Sequence, residues 1–231
     1  NQSERVTSIL AISQFKPGRK EKSVTSEKRY IVMLTESGII KKIAASEFDQ
    51  VRRSGLIAIT LRKGDALRWA RLTTGADDLI LVTSTGQAVR FQEKEVRAMG
   101  RQAAGVTAIR LKGIDRVVGM DVIEPGNAQS KVLHLLVVTE RGFGKQTPVK
   151  QFKRQRRGGS GIKTVKITPK TGPMIGASMI REEEYELIAI SRHGQVIRIE
   201  LASVPTLGRV TQGVRLMRLE EEDTIASIIT L

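Results

Sequence analysis

The chain contains no cysteine among its 231 residues, which excludes disulfide bonds, thiolate metal sites and cysteine nucleophiles. Histidine occurs only at His134 and His193, too few ligands for a zinc site. Aromatic residues make up 3% of the chain, so the stacking surface of a single-strand nucleic-acid binder is poorly supported. No apolar run reaches the length of a membrane helix, and the first residues do not form a signal peptide. Because residue 1 is Asn, we expect a piece of a longer protein.

Positive charge is abundant. Lys and Arg number 39 against 24 Asp and Glu, which gives a net charge of +15 and a pI near 10.5. A balance of this kind indicates a polyanionic partner. The apolar content of 40% is sufficient for a hydrophobic core, so disorder is not expected.

An internal repeat organises the whole chain. A strand, a glycine turn and a second strand recur over residues 30–43, 79–91, 134–147 and 186–199. The turn glycines are Gly38, Gly86, Gly142 and Gly194. Each hairpin is followed by a second element, whose key glycines are Gly55, Gly105, Gly161 and Gly213. A further strand is predicted over 6–12, 65–72, 115–123, 173–180 and 224–230. The spacings of the two glycine series change together, which predicts four copies of a unit of roughly 50 residues.

These segments are short, rich in Val, Ile, Leu and Thr, and bounded by Gly, Asp and Ser, as strands are. The turn dipeptides place glycine where a tight hairpin needs a positive φ. The polar pieces 46–50, 92–96 and 149–153 are predicted to be helical turns or loops. A period near 50 with several strands per unit is typical of propeller blades. We therefore predict an all-β, propeller-like domain over 1–231, built of antiparallel repeats at about 6–64, 65–114, 115–172 and 173–231. A continuous β-sandwich is the alternative, but it does not explain the repeat register.

The charge is unevenly distributed. The four repeats carry net charges of +7, +3, +8 and −3, counting residues 1–5 with the first. Bases recur in the loop before each key glycine, at Arg52, Arg53, Arg97, Arg101, Lys153, Arg154, Arg156 and Arg157. Others follow the hairpin turn, at Lys41, Lys42, Arg90 and Lys145. In radially packed repeats, equivalent positions share one rim, where regular bases suit the phosphates of duplex DNA. We predict that the first group lines a phosphate path and that the second group flanks it, with little sequence preference.

The densest cluster is KRQRRGG at 153–159. Its glycines leave backbone N–H groups able to approach phosphate, so Gly158 and Gly159 join the predicted site. For any single base, a solvated surface position is the alternative. The acidic runs 182–184 and 220–223 are interpreted as solvated loops or as a limit to the DNA path, not as a metal site. No phosphate-binding loop or nucleophile elbow occurs, so no catalytic residue is predicted.

The segment QRRGGSG at 155–161 resembles the gyrase-A box, Q-[RK]-R-G-G-[RK]-G. FQEKEVRAMGR at 91–101 and RRSGLIAITL at 52–61 also resemble the C-terminal domain family of the DNA gyrase A subunit. Gln155 and Gly161 join the predicted site only through this resemblance. The resemblance implies a six-bladed β-pinwheel, in which each blade includes a strand exchanged from its neighbour. The box of that family belongs to the first blade, so the four repeats here are expected to be blades three to six. Ser160 stands where the family usually has a base, which is expected to weaken that contact.

The same resemblance implies a non-catalytic domain of a bacterial type IIA topoisomerase, which wraps duplex DNA chirally for strand passage and negative supercoiling. The implied partners are duplex DNA without sequence preference, the remainder of the gyrase A subunit, and also the B subunit. The isolated domain is expected to be a monomer in the bacterial cytoplasm, at the nucleoid and not at a membrane. It is expected to need no cofactor, since ATP and Mg would bind to other domains of the parent enzyme. The alternatives are the corresponding domain of topoisomerase IV and a propeller-type protein scaffold, whose binding would depend far less steeply on salt.

Overall fold

The computed structural model describes residues 6–10, 29–49, 55–126, 133–181 and 183–231. Within these residues the chain forms short antiparallel strands, and the only helical segments are single 3-10 turns. The strands are β1 Tyr30–Thr35, β2 Ile39–Ala44, β3 Leu67–Thr73, β4 Asp78–Thr83, β5 Gln87–Gln92, β6 Val106–Thr107, β7 Val117–Ile123, β8 His134–Thr139, β9 Phe143–Pro148, β10 Ile162–Lys163, β11 Met174–Ile180, β12 Glu186–Ser191, β13 Val196–Glu200, β14 Val214–Arg215 and β15 Ile225–Thr230. The all-β prediction and the four hairpins are confirmed.

Each of the first three sheets takes strands from two successive repeats, whereas the strands of the fourth sheet all lie within residues 173–231. The strand orders are β3-β1-β2-β6, β10-β5-β4-β7, β11-β8-β9-β14 and β13-β12-β15. In the first sheet, the hairpin β1–β2 comes from one repeat, whereas β3 and β6 come from the next. The strand exchange expected of a pinwheel is therefore present, and we number the sheets one to four in the order of their hairpins.

In the second and third sheets, the first hairpin strand (β4 or β8) is apolar on both faces, because it lies between two neighbouring sheets. In β4, Leu79 and Leu81 pack in a core cluster with Val32 of the first sheet. The alternate residues Ile80 and Val82 pack in a second cluster with strand β8 of the third sheet. Because successive side chains of a strand point to opposite faces of the sheet, β4 packs against the first sheet on one face and the third sheet on the other. A third cluster joins β8 to the fourth sheet in the same way.

The hairpin turns have the geometry predicted from their glycines. The φ angles of Gly38, Gly86, Gly142 and Gly194 lie between 76° and 88°. Single 3-10 turns follow the hairpins at Ala45–Phe48, Glu93–Glu95, Val149–Gln151 and Leu201–Ser203. The first three overlap the polar pieces predicted as turns or loops, and the fourth is their equivalent in the last repeat.

One predicted strand is not formed as expected. Residues 6–10 adopt no regular structure, and residues 11 and 12 of the predicted strand 6–12 lie outside the described residues. Its equivalents β3, β7, β11 and β15 each pair with the hairpin that precedes them in the chain. Val6 and Ile9 are exposed.

Candidate nucleic-acid interface

The segments that carry the key glycines lie side by side, and three of them contain the short strands β6, β10 and β14 of the first three sheets. They cover residues 55–61, 100–111, 154–166 and 208–218, and we refer to them together as the belt. Neighbouring segments are joined directly by backbone hydrogen bonds, from Thr60 N to Ala103 O (3.4 Å), Gly158 N to Ala108 O (2.7 Å), Arg110 N to Gly159 O (2.9 Å) and Lys166 N to Thr211 O (3.1 Å). The structure therefore brings the bases of successive repeats onto one continuous band.

The box-like loop is held by two sheets at once. The Gln155 N–H donates to the carbonyl of Arg90 in the second sheet at 2.7 Å. Arg157 donates from its backbone N–H to the Glu95 carboxylate and from its guanidinium to the carbonyl of Thr107, in the exchanged strand of the first sheet. The loop is thus fixed on both sides of Arg156, which restricts the orientation of the Arg156 side chain.

Glycine is required at the end of this loop by a close backbone approach. Gly161 has a φ of +78°, and a Cβ there would lie 2.8 Å from the carbonyl oxygen of Ala88. The Gly158 N–H is already used by the carbonyl of Ala108. Within the described part of the chain, the N–H group of Ser160 forms no hydrogen bond and the residue is exposed, so this amide is available to an anion.

Several predicted bases project from the belt or its margin without a protein partner. Among the described residues, the side chains of Arg97, Lys153 and Arg156 are exposed and form no hydrogen bond or ion pair. Arg101 is exposed and lies 4.0 Å from the Glu47 carboxylate, a weak surface pair. These four side chains are positioned to contact an anion. Arg52 and Arg53 lie outside the described residues.

Arg154 and Arg157 are partly engaged. The Arg154 Nε lies 2.8 Å from Oδ2 of Asp78, although about half of its side chain is exposed. Arg157 is anchored to Glu95 and Thr107, so it holds the loop rather than projecting from it. Of these two, Arg154 is the one with exposed surface to offer a phosphate.

The four bases predicted to flank the path are buried in the sheets. Arg90 pairs with Asp78 at 2.7 Å, and Lys42 lies 3.5 Å from the Glu93 carboxylate. Lys41 donates to the carbonyls of Ala58 and Arg101 from a fully buried position. The interpretation of these side chains as surface bases is corrected by their burial, since they already have protein partners. We leave them out of the interface.

Lys145, the fourth of these bases, supports a belt segment from beneath. Its Nζ donates to the carbonyls of Gly208 (2.5 Å) and Arg209 (2.7 Å) and to the Thr211 hydroxyl (3.0 Å). Burial, with a smaller effect from the nearby Arg209 charge, lowers the pKa of Lys145 to about 8. Lys41 has the equivalent position in the first sheet, and burial lowers its pKa too. These lysines hold the loops that carry Arg101 and Arg209.

Exposed bases that were not predicted extend the band. Arg110, Lys166 and Arg218 each stand five residues after a key glycine, and all three are exposed. Lys163 is also exposed, and its carbonyl accepts a hydrogen bond from Arg209. The signal was present in the repeat alignment, because three of the four repeats have a base at the same offset.

The fourth sheet carries exposed acids instead. Glu200 and the run Glu220–Glu222 are exposed, and Glu186 pairs with Arg198. In the residues that the structure describes, no three His, Asp or Glu side chains are grouped to hold a metal ion. No helix in the described ranges is long and apolar enough to span a membrane.

The sequence matches the family model described as "DNA gyrase C-terminal domain, beta-propeller" over residues 29–74, 77–124, 133–180 and 185–231. The DNA gyrase A subunit of Staphylococcus aureus (strain MRSA252) is 38% identical over 207 residues, which cover 90% of this chain and 23% of that protein. Its counterpart in strain COL gives the same values. The chain thus spans about a quarter of the length of these curated relatives.

Two solved structures share the fold. A DNA gyrase A C-terminal domain aligns with a TM-score of 0.76 and 24% identity, over 89% of this chain and 66% of that one. A C-terminal domain of DNA topoisomerase IV aligns with a TM-score of 0.81 and 24% identity, over 89% and 62% of the two chains.

Proposed function

We propose that this chain, which belongs to the DNA gyrase C-terminal domain family, binds duplex DNA along the belt and wraps it around the rim of its sheets. The observation that carries the proposal is the alignment of exposed, unpaired bases from successive repeats on adjoining belt segments. Arg156 and Lys153 stand at the box-like loop, and Arg110 and Lys166 continue the row on either side. Such a row suits the repeating phosphates of a duplex.

The contacts are to the DNA backbone, so binding is insensitive to base sequence. Arg156 supplies charge, and the amide of Ser160 supplies a donor for one phosphate. About eight such contacts give a log–log salt slope of roughly −7. Together they also supply the energy for bending a short site, about 1–6 kcal/mol.

In the parent enzyme, the wrap would present a second DNA segment to the strand-passing core with a fixed handedness. The curated relatives, which are A subunits of DNA gyrase, favour gyrase over topoisomerase IV as the parent. The partners would then be the B subunit together with the rest of the A subunit, in the bacterial cytoplasm. The chain itself would do no chemistry and need no cofactor, because its role is to bind and bend.

Charge reversal on the belt tests the binding surface. We expect Arg156→Glu to weaken binding to unrelated duplexes alike and to reduce the salt slope by about one. The matched control is Arg192→Glu, the same charge change at an exposed residue of the fourth hairpin turn, whose backbone N–H donates to Thr224 and not to a belt segment. Fluorescence anisotropy near 0.15 M salt measures the affinity of each variant for a labelled duplex. At that salt concentration charges more than about 8 Å apart are largely screened, so a change in net charge alone has little effect. Equal losses in both variants would reject the belt as the interface.

Wrapping is tested separately from binding. The chain is bound to nicked circular plasmid, the nick is ligated, and the linking number is read after protein removal. A shift that grows with protein and is reduced in Arg156→Glu is expected. Salt-sensitive binding without a shift would leave a DNA-binding domain that does not wrap. Binding that ignores salt, or no binding, would favour the protein scaffold.

A further inference from the structure

A buried aspartate in the second sheet is shared by two arginines, one of which belongs to the belt. The Asp78 side chain is 1% exposed, and its Oδ2 accepts hydrogen bonds from Arg90 Nε (2.8 Å) and Arg154 Nε (2.8 Å). Its Oδ1 has no hydrogen-bond partner within the described residues. In that part of the chain, the two guanidinium groups are thus the donors that stabilise the buried charge, and one carboxylate neutralises only one of them.

Arg90 holds the backbone on both sides of Arg154. Its Nη1 donates to the carbonyl of Phe152 at 3.1 Å, and its own carbonyl accepts the Gln155 N–H at 2.7 Å. Arg90 is buried, and its Nη2 lies 2.7 Å from Oδ2 of Asp78. Arg154 is therefore held at its backbone by Arg90 and at its Nε by Asp78. Because a guanidinium group is planar, these contacts restrict the direction of the two terminal amino groups of Arg154.

The terminal amino groups of Arg154 are open to a ligand. They carry four N–H donors, none of which has an acceptor among the residues that the structure describes. About half of the side chain is exposed. Arg156, two residues along the chain, is exposed too, but no acid holds it. Arg154 thus combines a restricted orientation with donors that an anion can reach.

The arrangement is particular to this belt segment. Ala98, Arg154 and Thr206 each stand seven residues before a key glycine, and Ala98 and Thr206 lie beside the second hairpin strands of the first and third sheets. The position of Asp78 at the start of its hairpin is taken by Tyr30 in the first sheet and by His134 in the third. Neither of those sheets has the acid or the belt arginine at these positions. The pair therefore accompanies the segment that resembles the gyrase-A box and is not a general feature of the repeat.

We propose that Asp78 is a positioning residue for DNA binding and that Arg154 contacts a backbone phosphate through its terminal amino groups, an inference that rests on the proposed function. A phosphate bound there balances the guanidinium charge that Asp78 leaves without a partner. Two parallel N–H···O bonds to one phosphate are the geometry that arginine favours. Because Arg154 is already held, binding costs little side-chain entropy. Asp78 thus promotes the binding of an anion although its own charge is negative.

A lysine in place of Arg154 tests the contact without a change in net charge. One ammonium group cannot bind Asp78 through an inner nitrogen and also offer two outer donors to a phosphate. We expect Arg154→Lys to weaken binding to a labelled duplex by about tenfold, because charged hydrogen bonds are lost. The comparison is Arg156→Lys, the same substitution at a base that no acid holds, which should weaken binding markedly less. Fluorescence anisotropy near 0.15 M salt measures both, and circular dichroism verifies that both variants are folded.

Asp78→Asn tests the positioning role, because it removes a negative charge and yet should weaken binding several-fold. The control is Glu124→Gln, the same charge change at an exposed residue directly after β7, where Ile123 pairs with Asp78. Binding by this control should be unchanged or tighter. In the Arg154→Lys background, Asp78→Asn should cost little more, whereas a purely structural role would cost the same in both backgrounds. If Asp78→Asn does not fold, the two lysine variants decide the outcome.

The results separate this inference from the proposed function. A loss in Arg154→Lys no larger than that in Arg156→Lys would overturn the inference, as would an Asp78→Asn loss that is the same in both backgrounds. The proposed function would stand in either case, since it depends on Arg156→Glu losing more affinity than Arg192→Glu. Failure of the unaltered chain to bind duplex DNA would overturn both.

Discussion

Replacing Gly161 by alanine tests the close contact between the exchanged segment and β5. The energetic cost of that contact should add to the cost of backbone strain at the same residue. Alanine at a φ of +78° costs about 1–2 kcal/mol in any setting. At Gly161 the Cβ would also overlap the Ala88 carbonyl, lying 2.8 Å from its oxygen and 3.0 Å from its carbon. Both are backbone atoms of β5, so the exchanged segment must move away, at a further cost of about 1–3 kcal/mol.

Gly55→Ala is the internal control, because Gly55 has the same place in the repeat and a φ of +73° with open space around it. We expect Gly161→Ala to lower the free energy of unfolding by about 2–5 kcal/mol and Gly55→Ala by about 1–2 kcal/mol. Urea unfolding at low protein concentration measures both. The single tryptophan, Trp69, packs against the core between the first and second sheets and supplies the fluorescence signal, with circular dichroism as the second probe. Equal losses in the two variants would refute the close-approach argument.

Two predictions concern pH. The Lys145 pKa of about 8 lies below its unfolded value, so stability should rise by about 3 kcal/mol as the pH goes from 8 towards 10.5. In Lys145→Met that rise should be smaller, and what is left comes from groups such as Lys41 whose pKa is also lowered. Paired urea titrations at pH 7.5 and 10 measure it; the same rise in both proteins would contradict the assignment. At Asp115, burial favours the neutral form, but hydrogen bonds from Thr85, Thr83 and Ser84 outweigh it and lower the pKa. Its stabilisation is therefore present above the unfolded pKa near 4 and lost as the pH falls below it. Asp115→Asn should reduce the acid sensitivity measured by circular dichroism; an unchanged acid transition would show that other carboxylates govern it.

The hairpins and their turns were predictable because the information is local. A run of β-branched residues broken by a glycine defines two strands and a tight turn, and the structure has both at the expected positions. The assignment of strands to sheets could not be predicted from local sequence. Each short exchanged strand pairs far along the chain, as Ile162 does with Ala88, and that pairing came from the family resemblance rather than from composition.

Charge alone gave a wrong prediction for the bases that follow the hairpin turns, which are buried. Lys41 and Lys145 stand three residues after a turn glycine, and their equivalents in the other repeats are Val89 and Ile197. Alternation of lysine with aliphatic residues at one repeat position indicates a buried site, where the ammonium must find acceptors within the protein. The carbonyls of the belt segments supply them. The same comparison indicates Arg110 as a candidate interface base, since the exposed bases Lys166 and Arg218 share its offset from a key glycine.

The coupling between sheets has a direct consequence for the proposed DNA binding. Arg156 stands between Gln155, bound to the second sheet, and Gly158, bound to the exchanged segment of the first. In the proposed complex, a phosphate held there would be fixed relative to two sheets, so the curvature of the DNA path would follow from how the sheets pack. A prearranged path avoids the entropic cost of ordering loops on binding, which leaves more of the contact energy for bending the duplex. Core contacts between sheets and phosphate contacts on the rim should consequently reinforce one another, because DNA that binds only the folded arrangement stabilises it.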